Sequence, residues 1–275
     1  MTLNFIEIYP KIVVYKDMFK DIDKTYLTLN ESIDNKPDRL FSAWTQWSSF
    51  GKYLNPVSHD VKWDQKNISV ELNKDNYDKQ QENFVLELMQ NFKLISQHYS
   101  TKYGLDIYSD GWEWTPPVIC KYDHITDEDR QMTMKYHSDY IWEPIISPGS
   151  KFAITALAYF NDDYDGGEID FAIGNNLIKY KPVTGDFLVF PSGHPEILTD
   201  NGNVYLHGVM PVRTGGNKIF SRMFWKNNHS GSEEWHEKEK QYGKDAWDKM
   251  QDEILKEFRK DHRQRSKIDG GIRLA

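Results

Sequence analysis

From Pro116 to Trp225 the chain alternates short β-branched and aromatic runs with turn-forming clusters. The runs are PPVICKY, MKYHSDY, FAITALAYF, GEIDFAI, FLVF, VYLHGVM and KIFSRMFW, and between them lie SPGS, NDDYDGG, GNN, PVTGD, PSG, DNGN and RTGG. Short strands at this spacing predict a sandwich or barrel, not a βαβ fold. Upstream, Lys79 to Tyr99 carries Phe84, Leu88, Phe92, Ile95 and Tyr99 at steps of three and four. That stripe predicts an amphipathic helix ended by Gly104 and lying on a sheet. The opening IYPKIVVYKDMF, with alternating and β-branched residues after a turn-forming Pro, reads as a strand. The polar stretch Asp21 to Asn76 reads as loops with short helical pieces. Ser232 to Arg263 places Trp247, Met250, Ile254 and Phe258 at helical steps and reads as a C-terminal helix on the body. The expectation is a single domain over 1–275: an N-terminal strand and helical support (1–115), a β core (116–225) and a C-terminal helical extension (226–275).

Composition narrows the function classes. With 39% hydrophobic and 28% charged residues the chain is globular, and its formal charge of −8 disfavours a nucleic-acid backbone as partner. The basic KEFRKDHRQRSK stretch near the C-terminus reads as a solvated helical end. The longest apolar run, Phe152 to Phe160, is interrupted by Thr155 and is about half of the roughly 20 residues a membrane helix needs. Glu7, Pro10 and Lys11 stand where a signal peptide would have its apolar core. One cysteine, Cys120, excludes an intrachain disulfide and any multi-cysteine metal site. The expected location is therefore cytoplasmic, without membrane attachment.

The candidate chemistry begins with MKYHSDY. Alternate residues of a strand share a face, so His137 and Asp139 project together. An imidazole and a carboxylate side by side can hold a divalent metal once a third ligand joins them. His207, in the run VYLHGVM, supplies it more readily than His194, which sits in a Pro-flanked loop. Two histidines and one carboxylate on one face of a metal leave the opposite positions open, the facial triad of non-haem Fe(II) oxygenases. His59, His98 and His124 lack a partner in a β-run and read as ordinary histidines.

The order of these pieces resembles the 2-oxoglutarate- and Fe(II)-dependent dioxygenases, specifically their prolyl 4-hydroxylase-like branch. The matching stretches are CKY (120–122), HSD (137–139), ALAYFNDDYDGGEIDF (156–171), KPVTGDFLVFPSG (181–193) and HGVMPVRTGGNK (207–218). The resemblance implies a mainly β fold, a double-stranded β-helix (jelly-roll) core with flanking helices. It implies Fe(II) on His137, Asp139 and His207, with 2-oxoglutarate and O2 as cosubstrates and ascorbate as a further requirement. It implies Lys218 as the cation for the far carboxylate of 2-oxoglutarate, with Arg222 of the same strand parity as second choice and Arg213, in the turn, less suited. Tyr122 matches the tyrosine that donates its hydroxyl to the cosubstrate. Such groups are needed because a buried dicarboxylate without partners costs several kcal/mol.

Tyr140, Trp142 and Glu143 follow the metal pair and are candidates for the substrate entrance, as are Trp112 and Trp114 for its rim. Gly166 and Gly167 read as hairpin residues and Asp186 as a turn residue. The implied activity is hydroxylation of a C–H bond with succinate and CO2 as coproducts. Asp139 disfavours halogenation, for which related enzymes carry a small residue there. A prolyl residue of a peptide or protein is the first substrate expected; a lysyl residue, a free amino acid and a small metabolite stand as alternatives. A nucleic-acid demethylase of the AlkB type would want a basic groove, which this acidic chain lacks. From a different class, a non-enzymatic cupin-like metal- or sugar-binding module explains the β core but gives no use for an inward cation at Lys218.

Overall fold

Two antiparallel sheets face one another, and the chain crosses repeatedly between them. The structure, a computed structural model, describes residues 3–22, 45–46, 51–54, 61–64, 69–72, 79–105, 112–115, 117–137, 139, 151–191, 205–227, 237, 239–247 and 249–250. In chain order the elements are β1 (Phe5–Tyr9), β2 (Ile12–Tyr15), β3 (Thr45–Gln46), β4 (Gly51–Leu54), β5 (Val61–Asp64), β6 (Ser69–Leu72), the helix α1 (Lys79–Tyr103), β7 (Trp112–Trp114), β8 (Val118–Tyr122) and β9 (Met134–His137). They continue with β10 (Lys151–Tyr159), β11 (Tyr164–Gly166), β12 (Ile169–Ile173), β13 (Asn176–Tyr180), β14 (Phe187–Pro191), β15 (Leu206–Val209), β16 (Val212–Gly215) and β17 (Lys218–Asn227). The larger sheet has the order β1-β2-β14-β10-β17-β8-β4-β3, with β7 also paired to β17; the smaller is β13-β12-β15-β9. From β8 onward, successive segments swap sheets, so that four strands of each close into a jelly-roll. The fold is the expected mainly β class with a jelly-roll core.

Strand alternation sorts the side chains into two cores. On β10, Ile154, Ala156 and Ala158 point to the outer face of the larger sheet, whereas Leu157 and Tyr159 point between the sheets. The outer face receives α1, whose Phe84, Leu88, Phe92, Ile95 and Tyr99 are all buried, as the helical stripe predicts. Burial of each such side chain contributes about 2 kcal/mol. The Lys79–Glu82 pair, at 3.7 Å and with Lys79 exposed, adds a few tenths at most, so packing holds the helix in place. At its end Gly104 takes φ +66°, and Leu105 and Gly104 N–H groups donate to the Ser100 and Thr101 carbonyls, closing a Schellman cap.

Three expectations are corrected. The opening segment is a hairpin of two strands, because Lys11 adopts φ +65° and donates its N–H to Glu7 Oε1 at 2.8 Å. In the 21–76 stretch Ile22 is helical, but the described residues from Thr45 onward form strands β3 to β6 where loops and short helical pieces were expected; β4 gains its order from pairing with β8, a distant partner that local composition does not record. The C-terminal helix is interrupted at Gly243, φ +80°, and Tyr242 and Trp247 stack across the break with ring centroids 6.0 Å apart. Ile254 and Phe258 lie outside the described residues. Among the described residues no helix is long and apolar enough to cross a membrane.

Candidate active site

The smaller sheet brings the two histidines together. β9 and β15 pair with His137 directly opposite His207, and the ring centroids are 4.4 Å apart. Asp139 follows β9 and turns its carboxylate between them, with Oδ1 3.3 Å from His137 Nε2 and Oδ2 3.4 Å from His207 Nε2. Ligand atoms from all three residues lie within 4.8 Å of one another. Gly208 permits this approach, since a Cβ there would come within 2.4 Å of Met132 Cε and 3.1 Å of the Met134 carbonyl oxygen.

The donor set suits a divalent metal. His137 Nδ1 lies 2.8 Å from the Lys135 carbonyl, and His207 Nδ1 lies 3.4 Å from that of Tyr205. Each Nδ1–H is thereby directed at backbone, which leaves the Nε2 lone pairs turned toward the carboxylate, the arrangement that orients histidine ligands. Burial by itself raises the Asp139 carboxyl, but the charges and hydrogen bonds of His207 and His137 outweigh it and hold the group well below the usual carboxylate range. Burial likewise opposes protonation of His137, and the hydrogen bond and charge of Asp139 reverse that and raise it.

Thr155 of β10 was not expected here. Its hydroxyl donates to Asp139 Oδ2 at 2.6 Å, from the sheet opposite the histidines. The only signal in the sequence is the polar break it makes in the apolar run of β10. Because such an outer hydrogen bond fixes the carboxylate's orientation, Thr155→Val is expected to weaken Fe(II) retention roughly tenfold. Competition against a calibrated chelator measures this; an unaltered affinity means the histidines alone orient Asp139.

The trio opens on a pocket lined mostly by apolar and aromatic side chains of both sheets. Lys218, Phe220, Arg222 and Phe224, all of one strand parity on β17, face into it, as do Tyr122 and Tyr159. Lys218 is buried at the start of β17 opposite Tyr122. Its Nζ donates to the Gly167 carbonyl at 2.6 Å and lies 5.1 Å above the Tyr159 ring. Burial, reinforced by the nearby Lys181 charge, pushes its ammonium down to about 7. Arg222 sits further along β17, opposite Leu157 and thus closer to Thr155 and the trio. Tyr122 donates to Met134 Sδ at 3.6 Å. Tyr159 is a second residue the sequence reading did not single out: its hydroxyl is buried without a hydrogen-bond partner among the described residues. Leaving such a group unmet costs about 1–3 kcal/mol, which an acceptor on a bound ligand would recover.

The hairpin that supplies the Gly167 carbonyl has Gly166 at φ +74°, where a Cβ would lie 2.0 Å from the Pro211 carbonyl oxygen. Only glycine fits there. Other candidates fall elsewhere. Trp114 is buried on the helix side of the larger sheet, stacked at 6.3 Å on Trp225, and so belongs to the core and not to the rim. Arg213 points away from the cavity and donates to the Asp127 and Arg130 carbonyls of the loop before β9. His98, on α1, meets the Tyr15 hydroxyl at 2.9 Å, and His124 meets the Arg213 carbonyl. Asp186 accepts from Lys16 Nζ at 2.6 Å and from the Tyr180 hydroxyl, a structural tie. Tyr140, Trp142, Glu143, His59 and His194, and the side chain of Trp112, lie outside the described residues.

Residues 122–227 match the model of the 2OG-Fe(II) oxygenase superfamily. No curated protein matches the sequence. Similar solved structures include the viral collagen prolyl hydroxylase of Paramecium Bursaria Chlorella virus-1, at 13% identity and TM-score 0.47, covering 79% of this chain and 96% of that one. A Pseudomonas putida prolyl-4-hydroxylase is similar at 13% identity and TM-score 0.49, with 79% and 93% covered. A Trichoplax adhaerens prolyl hydroxylase in complex with a hypoxia inducible factor peptide fragment is similar at 12% identity and TM-score 0.45, with 81% and 86% covered. The segment matched by the family model spans both sheets of the jelly-roll together with His137, Asp139 and His207; over that segment the chain is similar to the 2OG-Fe(II) oxygenases, and the trio is consistent with iron binding.

Proposed function

We propose that this enzyme hydroxylates a C–H bond of a prolyl residue in a peptide or protein, with succinate and CO2 as coproducts. The observation that carries the chemistry is one pocket with a metal-binding end and an anion-binding end: the His137, Asp139 and His207 trio at one, the buried Lys218 at the other. When bound, Fe(II) and 2-oxoglutarate together supply the activation of O2 that oxidises the C–H bond. In this reading His137, Asp139 and His207 hold the metal and leave its opposite face open. Lys218 grips the far carboxylate of 2-oxoglutarate, and Tyr122 and Tyr159 turn hydroxyls toward the same end. Arg222, nearer the trio, is the second cation of the pocket. The aromatic and aliphatic walls exclude water, which strengthens each of these contacts. The prolyl assignment is supported by the ordered motif HGVMPVRTGGNK and by lysine, not arginine, at position 218, both features of the prolyl 4-hydroxylase-like pattern.

Two measurements test it. Anaerobic addition of Fe(II) and then 2-oxoglutarate to the metal-free protein is expected to produce the visible charge-transfer band of the chelate; a folded protein without that band overturns the site assignment. Aerobic incubation with proline-containing peptides is expected to give a one-oxygen mass increase on proline, with succinate in equal amount. Turnover of free amino acids or lysyl peptides in its place would reassign the substrate and leave the site standing.

A further inference from the structure

We propose that Asn161 is the positioning residue that fixes the root of Lys218, its carboxamide standing in for a missing strand. The inference rests on the reading of Lys218 as the 2-oxoglutarate anchor. Register between β10 and β17 runs as far as Tyr159 opposite Phe220, and one more backbone bond, Phe160 N–H to the Ile219 carbonyl at 3.0 Å, closes it. The chain then turns away toward β11. The first residues of β17 thus keep β8 on one side, where Lys218 faces Tyr122, but lose their backbone partner on the other.

Asn161 fills that gap. Its Nδ2 donates to the Asn217 carbonyl at 2.6 Å, and its Oδ1 accepts the Ile219 N–H at 2.8 Å. These are the two backbone groups that bracket Lys218 on the exposed edge of the ladder, and a carboxamide reproduces the peptide group a neighbouring strand would present. The second Nδ2 hydrogen goes to Asp163 Oδ1 at 2.5 Å, while the Asp163 carbonyl accepts the Gly216 N–H at 2.9 Å, so the turn before Lys218 is tied to the same segment. Asn161 is buried and its donors and acceptor are all engaged. Lys218 is therefore restrained twice. At its tip the Gly167 carbonyl can share the ammonium with an arriving carboxylate; at its root the Asn161 bonds remain. Without them the anchor would stand on a fraying strand end and would lose backbone and side-chain freedom each time it closed on its ligand.

The test is a double-substitution cycle read by the dissociation constant of 2-oxoglutarate, from the anaerobic charge-transfer band at saturating Fe(II). Asn161→Ala is expected to weaken 2-oxoglutarate binding about tenfold with Fe(II) affinity unchanged, and to raise the 2-oxoglutarate KM while kcat stays within about threefold. In the Lys218→Ala background the same substitution is expected to add less than about twofold, because the residue acts only through that lysine. A full tenfold effect in both backgrounds overturns the proposal, since a general loosening of the site would act regardless of Lys218. An effect of Lys218→Ala alone, with none from Asn161→Ala, also overturns it and leaves the anchor reading intact. An unchanged constant in Lys218→Ala alone defeats the anchor reading, and this proposal with it. If Asn161→Ala does not fold, Asn161→Ser, whose hydroxyl reaches only one of the two bracketing groups, is carried through the same cycle with a smaller expected effect in the Lys218 background than in the wild type.

Discussion

Lys218→Ala is expected to raise the 2-oxoglutarate concentration required for half-saturation by about two orders of magnitude, with Fe(II) binding intact. Truncating one member of a buried charge pair costs about 2–5 kcal/mol, and 2.8 kcal/mol is roughly a hundredfold. The remaining hydroxyls of Tyr122 and Tyr159 can bond a carboxylate but cannot neutralise it. Anaerobic titration provides the measurement; an unchanged requirement would transfer the role to Arg222. A pH dependence accompanies this prediction. The ammonium is the form that binds a carboxylate, and burial beside Lys181 brings its pKa down to about 7. Below that value the cation is already present. Above it the free protein holds a neutral amine, and binding must take up a proton. Affinity is therefore expected to fall as pH rises above about 7, by up to tenfold per unit. Lys218→Arg, whose guanidinium stays charged throughout, is expected to flatten the profile. A wild-type profile that is already flat there would place the far carboxylate on another group.

Asp139→Ala is expected to abolish turnover, by at least about three orders of magnitude, given that metal activation is worth several kcal/mol. The carboxylate is the one anionic member of the trio, and it lies between both imidazoles at 3.3 and 3.4 Å. Its removal leaves two neutral ligands and takes away the carboxylate to which the Thr155 hydroxyl donates. His207→Ala should in turn eliminate the anaerobic charge-transfer band. Circular dichroism must show both variants folded; full iron-dependent turnover in either one would falsify the assignment of the trio.

The metal trio was legible because its signal is local. His137 and Asp139 share strand parity, and His207 lies in a clear β-run. Lys218 and Arg222 were legible for the same reason, being four residues apart on one strand. The α1 stripe showed its buried face directly. What stayed hidden depends on register between distant segments. Nothing in AYFND says that Asn161 meets the start of β17, or that Tyr159 points its hydroxyl into the cavity. Thr155 showed itself only as an irregularity until β10 was set beside Asp139. β1 was missed because only the run after the turn-forming Pro10 read as a strand, and β4 because its order comes from β8. Trp114 misled through composition: aromatic residues mark cores as readily as openings, and only the direction of the strand decides.

The pairing of β2 with β14 has a consequence for synthesis. Val13, Val14 and Tyr15 lie opposite Val189, Leu188 and Phe187, and all four residues of β2 are fully buried. During translation this apolar tetrad leaves the ribosome long before its neighbour exists. At ordinary elongation rates of about 5–20 residues per second the interval is on the order of ten seconds or more. Until then the β1–β2 hairpin presents a wholly hydrophobic strand with one edge unpaired to its surroundings. Nascent-chain folding of this enzyme is therefore obliged to wait for its last third, and the opening residues are where a holding chaperone has most to protect.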